Sequence, residues 1–369
     1  MRARLVTAML AVIVASAAGC AGHGAGGPGQ AYLDRVSCGD SRLDAGLIQR
    51  AINASRAGAV IEIAGTCFLV RGITLLPNRI YTGDSRTGTV LRQGASMRYV
   101  MASAGFAANA SVTGAQLSIR QLTIACSGNG NTDGIIILNW QVDVTDVDVS
   151  KCGGSGIVDT NQTASGASIT NTSVNSRFED NFISGSGVNG FEVTDNRNSV
   201  TDGYFLNNQI ASSGGDAIRL ENAAGWDIAG NHLYNSQGDG ILAERLYGST
   251  ISGNYIEDFG RSHRSGVWYG IAGTVQDGNG STISGNKVFN DLGESGHAGH
   301  IYIGIIRTNA WTGYLSVTGN VIVGASQDDI GLSFNGGAHH LVVASAGNVV
   351  SNVGTAAQHS GSVDISGGA

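Results

Sequence analysis

From about residue 130 to the C-terminus, apolar and small polar residues alternate in short runs that are repeatedly closed by glycine. Alternation with a period of two is the pattern of a strand with one face buried. The phrase Asp/Asn-Gly-Ile followed by further apolar positions recurs with variations. Its copies begin at Asp133, Ser155, Asn189, Asp216, Asp239, Tyr269, Gly299 and Asp328, at intervals of 22 to 34 residues. A second marker keeps step with it at Asn208, Asn231, Asn254, Asn286, Asn320 and Asn348, most copies following a glycine. Repeats of this length, built from short strands and tight corners, predict a solenoid. With no helices between the strands, the solenoid is a parallel β-helix of three short sheets, each coil adding about 4.8 Å of length.

The phrase also fixes which side chains face the interior. Ile218 and Leu220, Ile241 and Ala243, Ile271, Ile301 and Ile303, and Ile330, Leu332 and Phe334 form the predicted apolar ladders. The repeated Asn residues predict a hydrogen-bonded side-chain ladder along the axis, because a structural role explains every copy at once. An open coil end exposes apolar edges and needs a cap. Residues 43–55, "LDAGLIQRAINAS", carry helical spacing at Leu47, Ile48, Ala51 and Ile52, which suits such a cap.

This helix precedes "AVIEIAGTCFLVRGITLLPNRIYTGDSRTGTVLRQ". Residues 40–93 resemble the opening of the pectate lyase-like superfamily, which includes polygalacturonases and pectate lyases. The resemblance implies a right-handed hand for the coil and action on a carbohydrate. The expected fold is all-β: a right-handed parallel β-helix with a short N-terminal capping helix.

Composition refines the picture. Gly is 57 of 369 residues and Pro only 2, without a collagen period, and 42% hydrophobic content excludes a disordered chain. Residues 1–20 combine a basic start, an apolar run and "AAGC", the pattern of a signal peptide. The last four letters also resemble a lipobox, whose Cys20 would be acylated. Residues 21–37 then read as a Gly-rich tether and 38–369 as the β-helix domain. Export permits disulfides, and Cys38, Cys67, Cys126 and Cys152 allow three pairings. Cys126 and Cys152 lie one repeat apart, so a bridge between neighbouring coils is expected there. A net charge of −7 speaks against nucleic acid, and the only membrane contact expected is through the lipid anchor.

The letters that change between copies decorate the outer face. At one outward position the order is Ile136, Val158, Glu192, Arg219, Leu242, Ala272, Tyr302 and Gly331. Two residues on, Glu221 and Glu244 sit on adjacent coils, and neighbouring carboxylates at that spacing raise one pKa. Retaining glycosidases hold their carboxyl groups about 5–5.5 Å apart. Glu221 and Glu244 are therefore the first acid/base candidates, against a solvated charge cluster with Arg219 and Arg245. Asp216 and Asp239 form a second adjacent pair, better suited to holding turns and kept as catalytic or calcium-ligand alternates. His300 and Asp329 are further catalytic candidates on the later coils. Glu192, Arg219, Trp268, Tyr302 and Trp311 are candidates for holding substrate, the Trp residues as stacking platforms.

"NTDG" (131–134), "QDD" (327–329) and "GHAGH" (296–300) resemble polygalacturonase motifs, but the His motif precedes the Asp pair and no Arg-Ile-Lys follows. Polygalacturonase roles are therefore not transferred. The acidic outer columns favour hydrolysis or transglycosylation of a neutral polysaccharide or oligosaccharide without a cofactor. A lyase or epimerase would add calcium on oxygen ligands. A non-catalytic surface binder or adhesin is the third reading, separated from an enzyme by an open flat face in place of a walled groove.

Overall fold

The computed structural model describes residues 33–109, 116–169, 172–262, 266–276, 279–290, 301–305 and 312–367. The predicted leader, Cys20, His300 and Trp311 lie outside them, as does the side chain of Tyr302. The chain is a right-handed parallel β-helix of three sheets. Its first strand, Leu33–Ser37, pairs in parallel with the start of Val60–Leu69, so the folded body begins inside the segment expected as tether.

Each coil contributes one strand to each sheet. In the first sheet Ile157, Phe191, Ile218, Ile241 and Ile271 stand in register. In the second the line is Phe178, Phe205, Ile228, Ile251, Ile283 and Val317, and in the third Ile183, Ile210, Leu233, Ile256, Val288 and Ile322. These side chains are buried, and together they fill the bore. Phe191 stacks on Phe205 with centroids 4.3 Å apart, and Trp226 joins the same aromatic layer. The helix α1, Asp44–Ala54, closes the N-terminal end with Ala45, Ile48 and Ile52 inward. Leu47 is 38% exposed, so the buried stripe is narrower than the spacing suggested.

The predicted Asn ladder forms the corner between the second and third sheets. Asn254 Oδ1 accepts from both the backbone N–H and the Nδ2 of Asn231, and Asn254 in turn donates to Asn286 and to the Ile228 carbonyl. The same pattern runs from Asn181 to Asn348. The residue before each Asn has positive φ, among them Gly230, Gly253 and Gly285 at +63° to +68°. Glycine adopts that conformation without strain, which accounts for the repeated Gly-Asn spelling.

Two disulfides staple the N-terminal half. Cys126–Cys152 joins neighbouring coils as expected, and Cys38–Cys67 is the second bridge. Both suit an exported protein. No helix among the described residues is long and apolar enough to cross a membrane.

One expected register differs. Ile271 pairs with Ile305 rather than Ile301, Trp268 pairs with Tyr302, and Ile330 pairs with Ile303. The strand Val267–Val275 begins four residues before Ile271, so matching phrases by their Gly-Ile letters shifted this coil. A period of two hides such a slip, because a shift of four residues keeps every side chain on its face.

One interior position breaks the apolar ladder. Asp159 stands between Ile137 and Val193, fully buried, and among the described residues its carboxylate finds only the poorly aligned Ser176 hydroxyl and Thr160 N–H nearby. Burial pushes this carboxyl well above the usual range; the nearby Ser176 hydroxyl opposes that shift and the Asp195 charge adds to it. The folded state therefore holds the proton to higher pH than the unfolded chain. Stability is highest below the ordinary carboxylate range and declines as pH rises above it. Asp159→Val continues the ladder; it is expected to raise stability at pH 7 by about 1–3 kcal/mol and to flatten that decline in urea titrations.

Candidate active site

The outward column of the first sheet is covered at its N-terminal end. Ala102, Ile136 and Val158 lie beneath Phe106 of the short helix α2, Ala104–Ala107, with Ala164 and Ile169 packed alongside. Beyond Val158 the column turns polar, with Glu192 in register beside Arg219 and Arg219 beside Leu242. There the surface opens into a groove of about 410 Å³. Glu192, Asp216, Arg219 and Gln237 line it, and Trp268 and Ser262 stand at its C-terminal side. Trp268 sits tight over Gly260, where a Cβ would fall 2.5 Å from the indole, so the Trp wall depends on glycine at that position.

A second ladder runs past the groove, reaching its lining at Asn189 and Asp216 with Asp239 buried one coil behind, and explains the opening letter of each repeated phrase. Asp133 accepts the Ser155 N–H at 2.8 Å, and the Ser155 hydroxyl accepts the Asn189 N–H. Asn189 Oδ1 accepts the Asp216 N–H at 2.9 Å. Asp216 Oδ1 accepts the Asp239 N–H at 2.8 Å, and Asp239 Oδ1 accepts the Tyr269 N–H at 2.8 Å. Each side chain thus holds the turn of the next coil. Gly238 permits this close stacking, since a Cβ there would meet Asp216 Oδ1 at 2.3 Å.

The ladder concentrates carboxyl groups in a poorly hydrated corner. Asp216 and Asp239 are each 8% exposed. Burial, followed by the Asp216 charge, pushes the Asp239 carboxyl up to about 7; the Tyr269 N–H and Arg219 oppose the shift. Burial also raises Asp216, opposed by the Asp239 N–H and by Arg219, whose Nη1 lies 3.2 Å from Asp216 Oδ2. Asp133, raised by burial to about 6, lies on the same ladder. Glu192 is anchored through one oxygen, which accepts from the Ser155 hydroxyl at 2.5 Å and from Asn189 Nδ2 at 3.1 Å.

The remaining candidates are dispersed. Glu221 follows the strand Ile218–Leu220 and Glu244 lies within the neighbouring strand Ile241–Leu246, but neither is among the described residues that line the groove. Glu221 Oε2 accepts the Asp195 N–H, and Glu244 is exposed. Arg245 reaches the backbone carbonyls of Glu221 and Asp195. Asp329 was expected to face outward; it is 1% exposed and accepts the N–H groups of Ala325 and Ser326, fastening a turn. Among the described residues no three His, Cys, Asp or Glu side chains converge as a metal site.

The sequence reading missed the partners that hold Glu192, namely Ser155 and Asn189. Their signal was present, because both occupy the first letter of the repeated phrase where Asp stands in other copies.

A family model described as "Right handed beta helix region" matches residues 111–290. No curated protein matches the chain by sequence. Among solved structures, the A-module of a mannuronan C-5 epimerase from Azotobacter vinelandii superposes with a TM-score of 0.57 at 16% identity, covering 91% of this chain and 98% of that one. The catalytic domain of a GH87 α-1,3-glucanase gives 0.54 at 13% identity, over 90% of this chain and 67% of that one. A Dettilon tailspike protein gives 0.53 at 14% identity, over 87% and 64%. Identities this low speak for the fold alone.

Proposed function

We propose that this chain, a right-handed parallel β-helix protein of the pectate lyase-like kind, is an exported enzyme that cleaves a glycan by hydrolysis in the groove between Glu192 and Trp268. The observation that carries this reading is the stacked Asp216–Asp239 pair beside a groove walled by an indole. Two carboxyls whose environment raises their affinity for a proton can share one at neutral pH and give it to a departing glycosidic oxygen. Glu192, held by Ser155 and Asn189 and one coil away, takes the opposite role and draws a proton from the attacking water. Arg219 keeps Asp216 oriented. Trp268 offers a flat apolar face to a sugar ring. The glycan-active β-helix neighbours fit this reading without assigning the reaction.

The reading fixes a pH dependence. Asp239 is protonated below about 7. The rate is therefore expected to fall as pH rises through that value, and Asp239→Asn should move or remove this limb of the kcat/KM profile. Stability carries the same sign, because the folded value lies above the unfolded one: the contribution is present below the ordinary carboxylate range and is lost as pH climbs towards 7.

The test is a panel of neutral and anionic polysaccharides, with reducing ends and ultraviolet absorbance read together. New reducing ends without absorbance support hydrolysis. Absorbance that appears with the new ends and requires calcium would replace hydrolysis by elimination.

A further inference from the structure

We propose that the groove continues into a second recess that receives an anionic substituent, a carboxylate or a sulfate, on the sugar next to the one that reacts. This rests on the reading of the groove as a glycan site. Around the corner from Asp216 lies a recess of about 370 Å³, and it shares Gly214 and Gln237 with the groove. The two spaces are therefore neighbours, and a bound chain crossing the first would bring its next sugar beside the second.

The two spaces differ in chemistry. The groove carries Glu192, Asp216 and an indole. The recess carries Ser213, Asn235 and Arg261, with no carboxylate and no aromatic ring among the described residues that line it. Arg261 is set in place through its backbone, whose N–H donates to the Ser236 carbonyl at 3.0 Å. Its Nη1 donates to Asn235 Oδ1 at 2.9 Å and lies 3.6 Å from Asp258. Both contacts use one nitrogen of the guanidinium. Nη2 and Nε make no hydrogen bond among the described residues, and a planar fork of this kind suits a carboxylate or sulfate.

Ser213 supplies an independent observation. It is 1% exposed, lines the recess, and its hydroxyl has no hydrogen-bond partner. A buried hydroxyl without a partner costs stability; it is sealed from solvent here, so it would gain a ligand oxygen only by rotating about χ1 into the recess. The position repeats as Ser186, Ser213 and Ser236 on successive coils, and Ser236 donates to the Gly238 carbonyl. The acidic outer columns pointed to a neutral chain, whereas the two free edges of the Arg261 guanidinium, whose Nη1 alone faces Asp258, favour a charged one.

The test measures binding to polygalacturonate and alginate (carboxylate), chondroitin sulfate (carboxylate and sulfate), carrageenan (sulfate alone) and neutral dextran and pullulan. Affinity electrophoresis with wild type, Arg261→Ala, Arg261→Lys and Ser213→Ala reads all six probes. The expected result is retention by at least one anionic chain that weakens about tenfold or more in Arg261→Ala, partly recovers in Arg261→Lys and fades with salt. Carrageenan alone would identify sulfate, and alginate or polygalacturonate would identify carboxylate. Equal retention of Arg261→Ala and wild type by the anionic chains, or retention by neutral chains only, overturns the proposal, as does no retention by any probe. Thermal unfolding of each variant separates lost binding from lost folding. Glu192→Gln keeps the two readings apart. Arg261-dependent binding without turnover of any polymer would overturn the hydrolase and leave the recess; turnover that needs Glu192 but not Arg261 would do the reverse.

Discussion

Asp216→Asn and Glu192→Gln are each expected to lower kcat by about 10²–10⁴ on the polysaccharide that wild type cleaves, the usual range for removing a positioned acid or base. Asp216 Oδ1 also accepts the Asp239 N–H, and the amide oxygen of Asn keeps that bond while losing the exchangeable proton. The folded state should therefore survive, and thermal unfolding checks this alongside the rate. Glu221→Gln and Glu244→Gln serve as the contrast, because neither side chain lines the groove. They should leave kcat within about twofold, the small effect expected of a surface substitution away from the site. Trp268→Ala removes the stacking face together with its packing against the core, so KM should rise while kcat falls less, with thermal unfolding read alongside. Loss of activity in Glu221→Gln or Glu244→Gln, with Glu192→Gln and Asp216→Asn active, would move the chemistry to the other carboxylate pair.

Asn254→Ala is expected to cost about 3–5 kcal/mol in urea unfolding, a large value for one side chain. Asn254 Oδ1 receives two donors from Asn231, and its Nδ2 donates to the Ile228 carbonyl and to Asn286. Alanine leaves those groups buried without partners, and the coils on either side share the damage. Asn348, half-buried at the end of the ladder, should cost less, about 1–2 kcal/mol, because solvent reaches the side chain itself and it donates to no further Asn among the described residues. Equal costs at the two positions would contradict this dependence on burial and on the number of groups each Asn holds.

How far the sequence reaches can be read from these same residues. The Asn ladder was legible because one letter recurs at one place in every coil, and the solenoid geometry gives that place a single meaning. The inward line from Ile218 to Ile241 and Ile271 followed from a period of two. The register of the Val267–Val275 coil was not legible, since the phrase there is imperfect and a four-residue shift preserves the alternation. The two carboxylate pairs were both visible, and the outward column placed Glu192 beside Arg219 correctly. The groove itself was hidden from the letters. Its N-terminal end is made by α2 and residues 161–169 covering Val158, and its other side by Trp268 resting on Gly260. Those are contacts between segments far apart in the chain, and no repeat phrase encodes them. The Asp216–Asp239 pair read first as turn residues and second as catalytic alternates, and it does hold turns; its raised proton affinity comes from burial, which outward or inward direction alone does not give.

The central claim is that a glycan binds between Glu192 and Trp268, over Asp216. The most direct measurement is a crystal structure of the Asp216→Asn protein with an oligosaccharide cut from whichever polymer wild type degrades. The account predicts a sugar ring against the Trp268 indole and a water or anomeric carbon facing Glu192. It also predicts a glycosidic oxygen within hydrogen-bond distance of Asp239 or of the amide that replaces the Asp216 carboxyl. An oligosaccharide lying along Glu221 and Glu244 with the Trp268 groove empty would contradict it.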